Sequence, residues 1–407
     1  MERRDVIVVG AGPSGSIASA LLKRRGWDVL VVESQRFPRF SIGESLLAHC
    51  LDFVAEAGML EAVAAAGFQY KNGAAFIRGD EYGEFDFSDK FTAGRDSTYQ
   101  VQRASFDKVL ADEAARQGVE IRYEVRVTAL DMAGPNPRVR ITDATGRDSE
   151  VEARFVLDAS GFGRTLPRLL DLETPSAFPV RNALFTHVED RIPPGAFDRN
   201  KIQIVVHPQH RDVWFWLIPF GNGRCSLGCV AAREFFATYP AALDERLRRL
   251  VSEEPFLTRL LSAAVWDTPV RELSGYSANV KAMHGKGFAL LGNAAEFLDP
   301  VFSSGVTIAM RSASMAAAVL DRQLRGEAVD WHRDFEVPLR KGVDTFRVYV
   351  NAWYDGRFQD IMFAKTQPAG IRRMICAILA GYAWDESNPF VAEPERRLDM
   401  VAQLCRR

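Results

Sequence analysis

An apolar run, Val6-Ile7-Val8-Val9, feeds directly into Gly10-Ala11-Gly12-Pro13-Ser14-Gly15, and this junction constrains the fold more than any other stretch of the chain. Gly10 permits a tight turn, Gly12 lets backbone amides approach a pyrophosphate, and Gly15 lets the next helix pack closely on the strand. The helix N-terminus then faces the phosphates. A helical stretch, Ser16 to Arg25, and a second apolar strand, Val29 to Val32, complete one βαβ unit. That strand ends at Glu33, whose carboxylate can accept hydrogen bonds from a ribose 2′-hydroxyl. A dinucleotide with an unphosphorylated adenosine ribose therefore fits better than NADP.

The 407 residues predict two or three structural units. A net charge of −2, with basic residues dispersed among acidic ones, offers no face for a polyanion, so no nucleic-acid partner is expected. Five cysteines, an odd number without a CxxC pair, predict a reducing, cytoplasmic setting. The charged start, Met1 to Asp5, is not followed by the sustained apolar run of a signal peptide. Met374 to Tyr382 is too short to span a membrane and reads as a packed helix. His207 and His210 stand between strand-like stretches with no cysteine or acidic cluster nearby. They read as surface polar residues, and no metal site is expected.

Along the chain, Phe37 to Ser45 reads as a polar loop on the same sheet edge as the glycine turn, followed by a helix from Leu46 to Ala66. Lys71 stands at the entrance of the next strand. Residues 80–98 read as an excursion into another sheet; a helix capped by Ser105 then runs to Arg116. Glu120–Tyr123, Val125–Met132 and Val139–Asp143 read as antiparallel strands. Phe155 to Asp158 is another apolar strand, delivering an aspartate and glycines at the sheet edge where ligands bind. In Val213 to Pro219 the alternation puts Trp214, Trp216 and Ile218 on one face, a wall built on two parallel indoles. Gly292-Asn293-Ala294 repeats the strand-then-glycine pattern, and Asp299 to Gly305 leads into a long helix whose first amides can hold an anion. The fold class is α/β: a Rossmann-like dinucleotide-binding domain (1–79, 99–174 and 271–330), an inserted, mainly antiparallel substrate-side domain (80–98 and 175–270) and a helical C-terminal region (331–407).

Three separated signals, the Gly10 to Gly15 turn with Glu33, the Asp158-Ala159-Ser160-Gly161 strand end and the Gly292 to Gly305 segment, together resemble an FAD-binding oxidoreductase of the p-hydroxybenzoate hydroxylase type. Phe37-Pro38-Arg39 with Gly43-Glu44-Ser45, and Trp214-x-Trp216-x-Ile218-Pro219, are similar to motifs of the flavin-dependent halogenases. The resemblance implies FAD as cofactor, with Gly10, Gly12, Pro13, Ser14 and Gly15 on its pyrophosphate and Glu33 on its adenosine ribose. It also assigns Gly43, Ser45, Arg103, Asp158, Gly292, Asn293, Asp299 and Gly305 to the cofactor. Asn293 departs from the aspartate common at that place, though an amide still hydrogen-bonds a ribityl chain. Phe302-Ser303-Ser304-Gly305 resembles the run in members acting on phenols and pyrroles rather than on free tryptophan.

By the same resemblance Lys71 is the catalytic lysine, partly desolvated, and the amides of Ser304 and Gly305 bind halide. Trp214, Trp216, Ile218 and Pro219 wall the flavin off from the organic substrate. The activity implied is halogenation of an electron-rich, phenol- or pyrrole-like aromatic in secondary metabolism, from reduced FAD, O2 and halide. The substrate is free or held on an acyl carrier protein, and a separate flavin reductase supplies reduced FAD. Two alternatives stay open: a monooxygenase, reductase or dehydrogenase of the same fold without halide chemistry, and a carrier-docking flavoprotein whose FAD is structural.

Overall fold

A computed structural model describes residues 1–406 except residue 177. Its first sheet has a parallel core in the spatial order Phe288–Leu290, Asp148–Asp158, Glu2–Val9, Val29–Glu33 and Glu120–Tyr123. Val6 to Val9 and Val29 to Val32 are fully buried, as expected of parallel strands covered on both faces. Helices Pro13–Arg24 and Gly305–Leu324 pack on one another beside this sheet. Gly15 sets the first of these helices tightly on the strand end, because a Cβ there would lie 1.9 Å from the Gly10 carbonyl oxygen.

Three local expectations are corrected. Glu120–Tyr123 joins the parallel sheet beside Val29–Glu33 rather than an antiparallel set. It is a short edge strand with charged positions, so it lacks the apolar run by which buried parallel strands are recognised. The single helix expected over 46–66 is two, Cys50–Glu56 and Leu60–Ala65, broken at Gly58, whose left-handed φ of 72° ends the first. Ser105 does not cap its helix: Arg103–Arg116 starts two residues earlier, and the amides of Ser105 and Phe106 both donate to the Gln102 carbonyl.

The second sheet has seven strands, in the order Arg271–Ser274, Arg181–Glu189, Arg224–Ala232, Trp214–Pro219, Lys201–Val206, Gly73–Arg78 and Glu81–Asp86. All its neighbours are antiparallel except Lys201–Val206 and Gly73–Arg78. Gly73–Arg78 and Arg271–Ser274 thus belong to this sheet, so the excursion starts before residue 80 and ends after 270. Alternation along the strands separates two cores. Ala74, Phe76, Ile202, Ile204, Trp214, Trp216 and Ile218 face the main core. Ala75, Ile77, Val205, Phe215 and Leu217 meet the inserted helices Leu243–Ser252 and Pro255–Leu260 on the other side.

After residue 331 the chain is helical. Val337–Tyr354 and Arg357–Met362 bury Tyr349, Trp353 and Phe358 against Phe76 and Phe302, closing the main core from the C-terminal side. Among the described residues no helix is long and apolar enough to cross a membrane. The greasy late stretch is the packed helix Ala369–Leu379.

Candidate active site

A cavity of about 650 Å³ runs along the C-terminal ends of the parallel strands and reaches the Trp214 strand of the second sheet. Its floor at one end is the glycine turn. Gly10 holds a φ of 98°, and a Cβ on Gly12 would meet nothing closer than an Arg39 nitrogen at 3.4 Å. The backbone at Gly12 is therefore open to a ligand, and the first amides of helix Pro13–Arg24 face it, as an anion cradle requires. Pro13, Ser14 and Glu33 share that wall. Glu33 is buried: its Oε2 accepts the Ala11 amide at 2.9 Å and Oε1 the Gln35 amide at 3.0 Å. Oε1 also accepts the Ser34 hydroxyl at 3.4 Å, so it is Oε2 that keeps a further lone pair for a ribose hydroxyl.

Gly43, Ser45 and Arg103 also line the cavity. The Arg103 guanidinium is fixed by both Asp107 oxygens, at 2.7 and 3.0 Å, and by the Ile42 carbonyl at 2.6 Å. Asp107, fully buried, takes Arg39 as well, at 2.7 Å. The motif containing Arg39 gave no hint of its partner, and the role of Asp107 was passed over; the signal available was an acidic residue four positions after Arg103, on the same helix face. It also passed over His187, whose Nε2 lies 2.8 Å from Oε1 of Glu44, another lining residue.

Asn293 and Gly305 line the far part of the cavity, where Ser303, in the left-handed region, turns the chain into helix Gly305–Leu324. The first amides of that twenty-residue helix have no intrahelical acceptor. Ser304 is buried beside them.

Four expected cofactor residues do not reach the cavity wall. Gly15 packs on Gly10. Asp158 is fully buried, and its two oxygens accept the amides of Ser160, at 2.8 Å, and Leu166, at 2.7 Å. It therefore shapes the loop whose residues Ala159 to Gly163 line the cavity. Gly292, at φ 51°, packs on Ala309, and its amide donates to the Ser312 hydroxyl. Asp299 accepts Tyr354 Oη at 2.7 Å, Tyr276 Oη at 3.1 Å and the Val301 amide at 3.1 Å, and burial raises its pKa.

Trp214, Trp216 and Ile218 line the cavity and are buried; Pro219 ends their strand. The indoles are not parallel: their ring centroids are 5.9 Å apart and the planes tilt by 48°. Each Nε1 donates to a different acceptor, Trp214 to Tyr354 Oη at 3.0 Å and Trp216 to Ser226 Oγ at 3.1 Å. Gly228 makes room for Trp216, since a Cβ there would sit 2.2 Å from its ring. Trp214 is thereby tied through Tyr354 to Asp299, two sequence signals joined by a tyrosine that no motif announced.

Lys71 is fully buried rather than partly desolvated, and it lies behind the cavity wall rather than on it. Its Nζ donates to Ser45 Oγ at 2.8 Å and to the Leu46 carbonyl at 2.7 Å, and sits 5.5 Å from the Phe87 ring centroid. Burial pushes its pKa down to about 7. Ser45 thus has the cavity on one side and Lys71 on the other. His207 corrects another expectation: it is buried among Phe215, Phe235 and Glu253, not a surface residue.

The FAD binding domain model matches residues 3–336. The crystal structure of a flavoprotein/dehydrogenase from Cytophaga hutchinsonii superposes with a TM-score of 0.97 at 45% identity, covering 100% of this chain and 99% of that one. The 1H-pyrrole-2-carbonyl-[peptidyl-carrier protein] chlorinase of Pseudomonas fluorescens is 26% identical over 97% of this chain and 92% of its own length. A tryptophan 2-halogenase of Chondromyces crocatus is 31% identical over 79% of this chain, which spans only 62% of that protein. With the glycine cradle, these likenesses make FAD the cofactor and the protein an FAD-dependent oxidoreductase. The chain belongs to the FAD-binding domain family, and flavin-dependent halogenases are among the relatives it resembles.

Proposed function

We propose that the protein halogenates an electron-rich aromatic of phenol or pyrrole type in secondary metabolism. The observation that carries this reading is Lys71, an amine buried with no carboxylate partner among the described residues and hydrogen-bonded to a serine of the cavity wall. When bound and reduced, FAD would supply the two electrons and two protons with which O2, halide and one further proton become hypohalous acid and water. The amides of Gly12 and Ser14 would hold the pyrophosphate, Glu33 the adenosine ribose, and Asn293 the ribityl chain. The amides of Ser304 and Gly305 would hold halide at the helix N-terminus. Lys71 Nζ, passing from Ser45 to the reagent, would donate a hydrogen bond to hypohalous acid beside the substrate. The halogen then bonds to a ring carbon, while the ring proton and the hydroxyl leave as water. Trp214 and Trp216 would keep the aromatic from the flavin, discouraging direct oxygen transfer.

The carrier-protein substrate of the Pseudomonas relative supports a carrier-bound substrate here as well. That only one GxGxxG turn follows a strand in the sequence supports a separate reductase. A dehydrogenase or monooxygenase reading is favoured by the name of the Cytophaga neighbour and by the separation of Lys71 from the cavity. Mass spectrometry of aromatic products after incubation with a flavin reductase, NADH, O2 and bromide decides between them. Brominated product is expected. Hydroxylated product alone, or none with rapid reduction by NADH without the reductase, would reject halogenation.

A further inference from the structure

Outside the cavity lining, His284, His332 and Glu336 converge where the flavin-binding sheet meets the C-terminal helices. Their donor atoms all lie within 4.8 Å of one another. Glu336 Oε2 is 3.1 Å from His284 Nε2 and 3.5 Å from His332 Nδ1. Zinc bonds of about 2.0–2.1 Å in a tetrahedron set neighbouring donors roughly 3.3 Å apart, so both separations already match two edges of such a site. The other carboxylate oxygen, Oε1, accepts Arg340 Nε at 2.8 Å, which fixes the carboxylate with Oε2 turned to the imidazoles. His284 is held from another side, its ring stacked near Trp331 at 6.4 Å.

The backbone contributes too. His332 and Glu336 lie in a π-helical segment, His332–Glu336, a rare geometry found most often at functional sites. His284 comes from strand His284–Gly285 at the edge of the flavin-binding sheet, distant in sequence, which is why spacing alone announced no metal site.

We propose that His284, His332 and Glu336 bind one zinc-like divalent ion, with water completing the tetrahedron, as a clamp between the flavin-binding sheet and helix Val337–Tyr354. None of the three lines the cavity, so the ion is structural rather than catalytic. It secures the base of the helix whose last residue, Tyr354, contacts Trp214 and Asp299.

The test is titration of the chelator-treated, FAD-loaded full chain with Zn²⁺ by calorimetry and thermal melting, and with Co²⁺ by visible absorption. One Zn²⁺ per chain, a rise in melting temperature and a tetrahedral Co²⁺ spectrum are expected. His332→Ala, at an exposed residue, and His284→Gln should each weaken binding at least about tenfold while leaving FAD occupancy intact. Absence of binding at about 100 µM Zn²⁺, or equal binding by the wild type and His332→Ala, would overturn the assignment. If His284→Gln fails to fold, the His332→Ala comparison decides alone.

Discussion

Replacing Lys71 with Met deletes the ammonium but keeps much of the stem's packing. In the folded protein, burial lowers the amine from 10.5 to about 7. At about 1.4 kcal/mol per unit, that shift is a preference of roughly 5 kcal/mol for the neutral amine in the folded state. Between pH 7 and 10.5 the unfolded chain binds more protons than the folded one, so Lys71 makes wild-type stability rise with pH across that window. Below pH 7 both states are protonated and the cost of burying the charge is full; above 10.5 both are neutral and it is gone. The variant has no such group. It leaves Ser45 Oγ and the Leu46 carbonyl without their donor, a cost of about 1–3 kcal/mol each that does not vary with pH. Urea denaturation of both proteins, FAD-loaded, at about pH 7.5, 8.5 and 9.5 separates the two effects. The stability of the variant relative to wild type should fall by about 1.4 kcal/mol per pH unit. Parallel pH profiles would mean that the folded lysine keeps an ordinary pKa, and the argument from its burial would be wrong.

Gly12→Val fills the open side of the glycine turn, so the variant should purify without the yellow colour of bound FAD; full occupancy would refute the cradle. Tyr354→Phe removes the hydroxyl joining Trp214 to Asp299, and should cost about 1–3 kcal/mol in denaturation, with a shift in tryptophan fluorescence. An unchanged midpoint and spectrum would refute that link. NADH alone should not reduce the bound flavin at a turnover rate of about 1 per second or faster; adding a flavin reductase should.

The glycine turn, Glu33 and the tryptophan strand were legible in the sequence because each rests on local constraints: a positive φ at Gly10, a buried parallel strand, a two-residue alternation. What escaped depended on contacts between distant segments. The Asp107–Arg39 pair joins residues 68 apart in sequence, which no local pattern shows. Asp158 and Asp299 reach the sheet edge as the motifs imply, yet their oxygens are taken by backbone amides and tyrosines from other segments. Lys71 looked partly exposed because no local pattern reveals that Ser45 and Phe87 close over it. The tilt of the indoles likewise follows from Tyr354 and Ser226, which no strand pattern encodes.

The central claim is that Lys71 acts on halogen after the flavin has reacted. It is tested most directly by following O2 consumption and halogenated product together, in wild type and Lys71→Met, with reduced FAD and bromide supplied. Oxidation should continue in the variant while product falls by at least about 10²-fold, the cost of losing one such donor. Product formation near the wild-type rate in Lys71→Met would contradict the account.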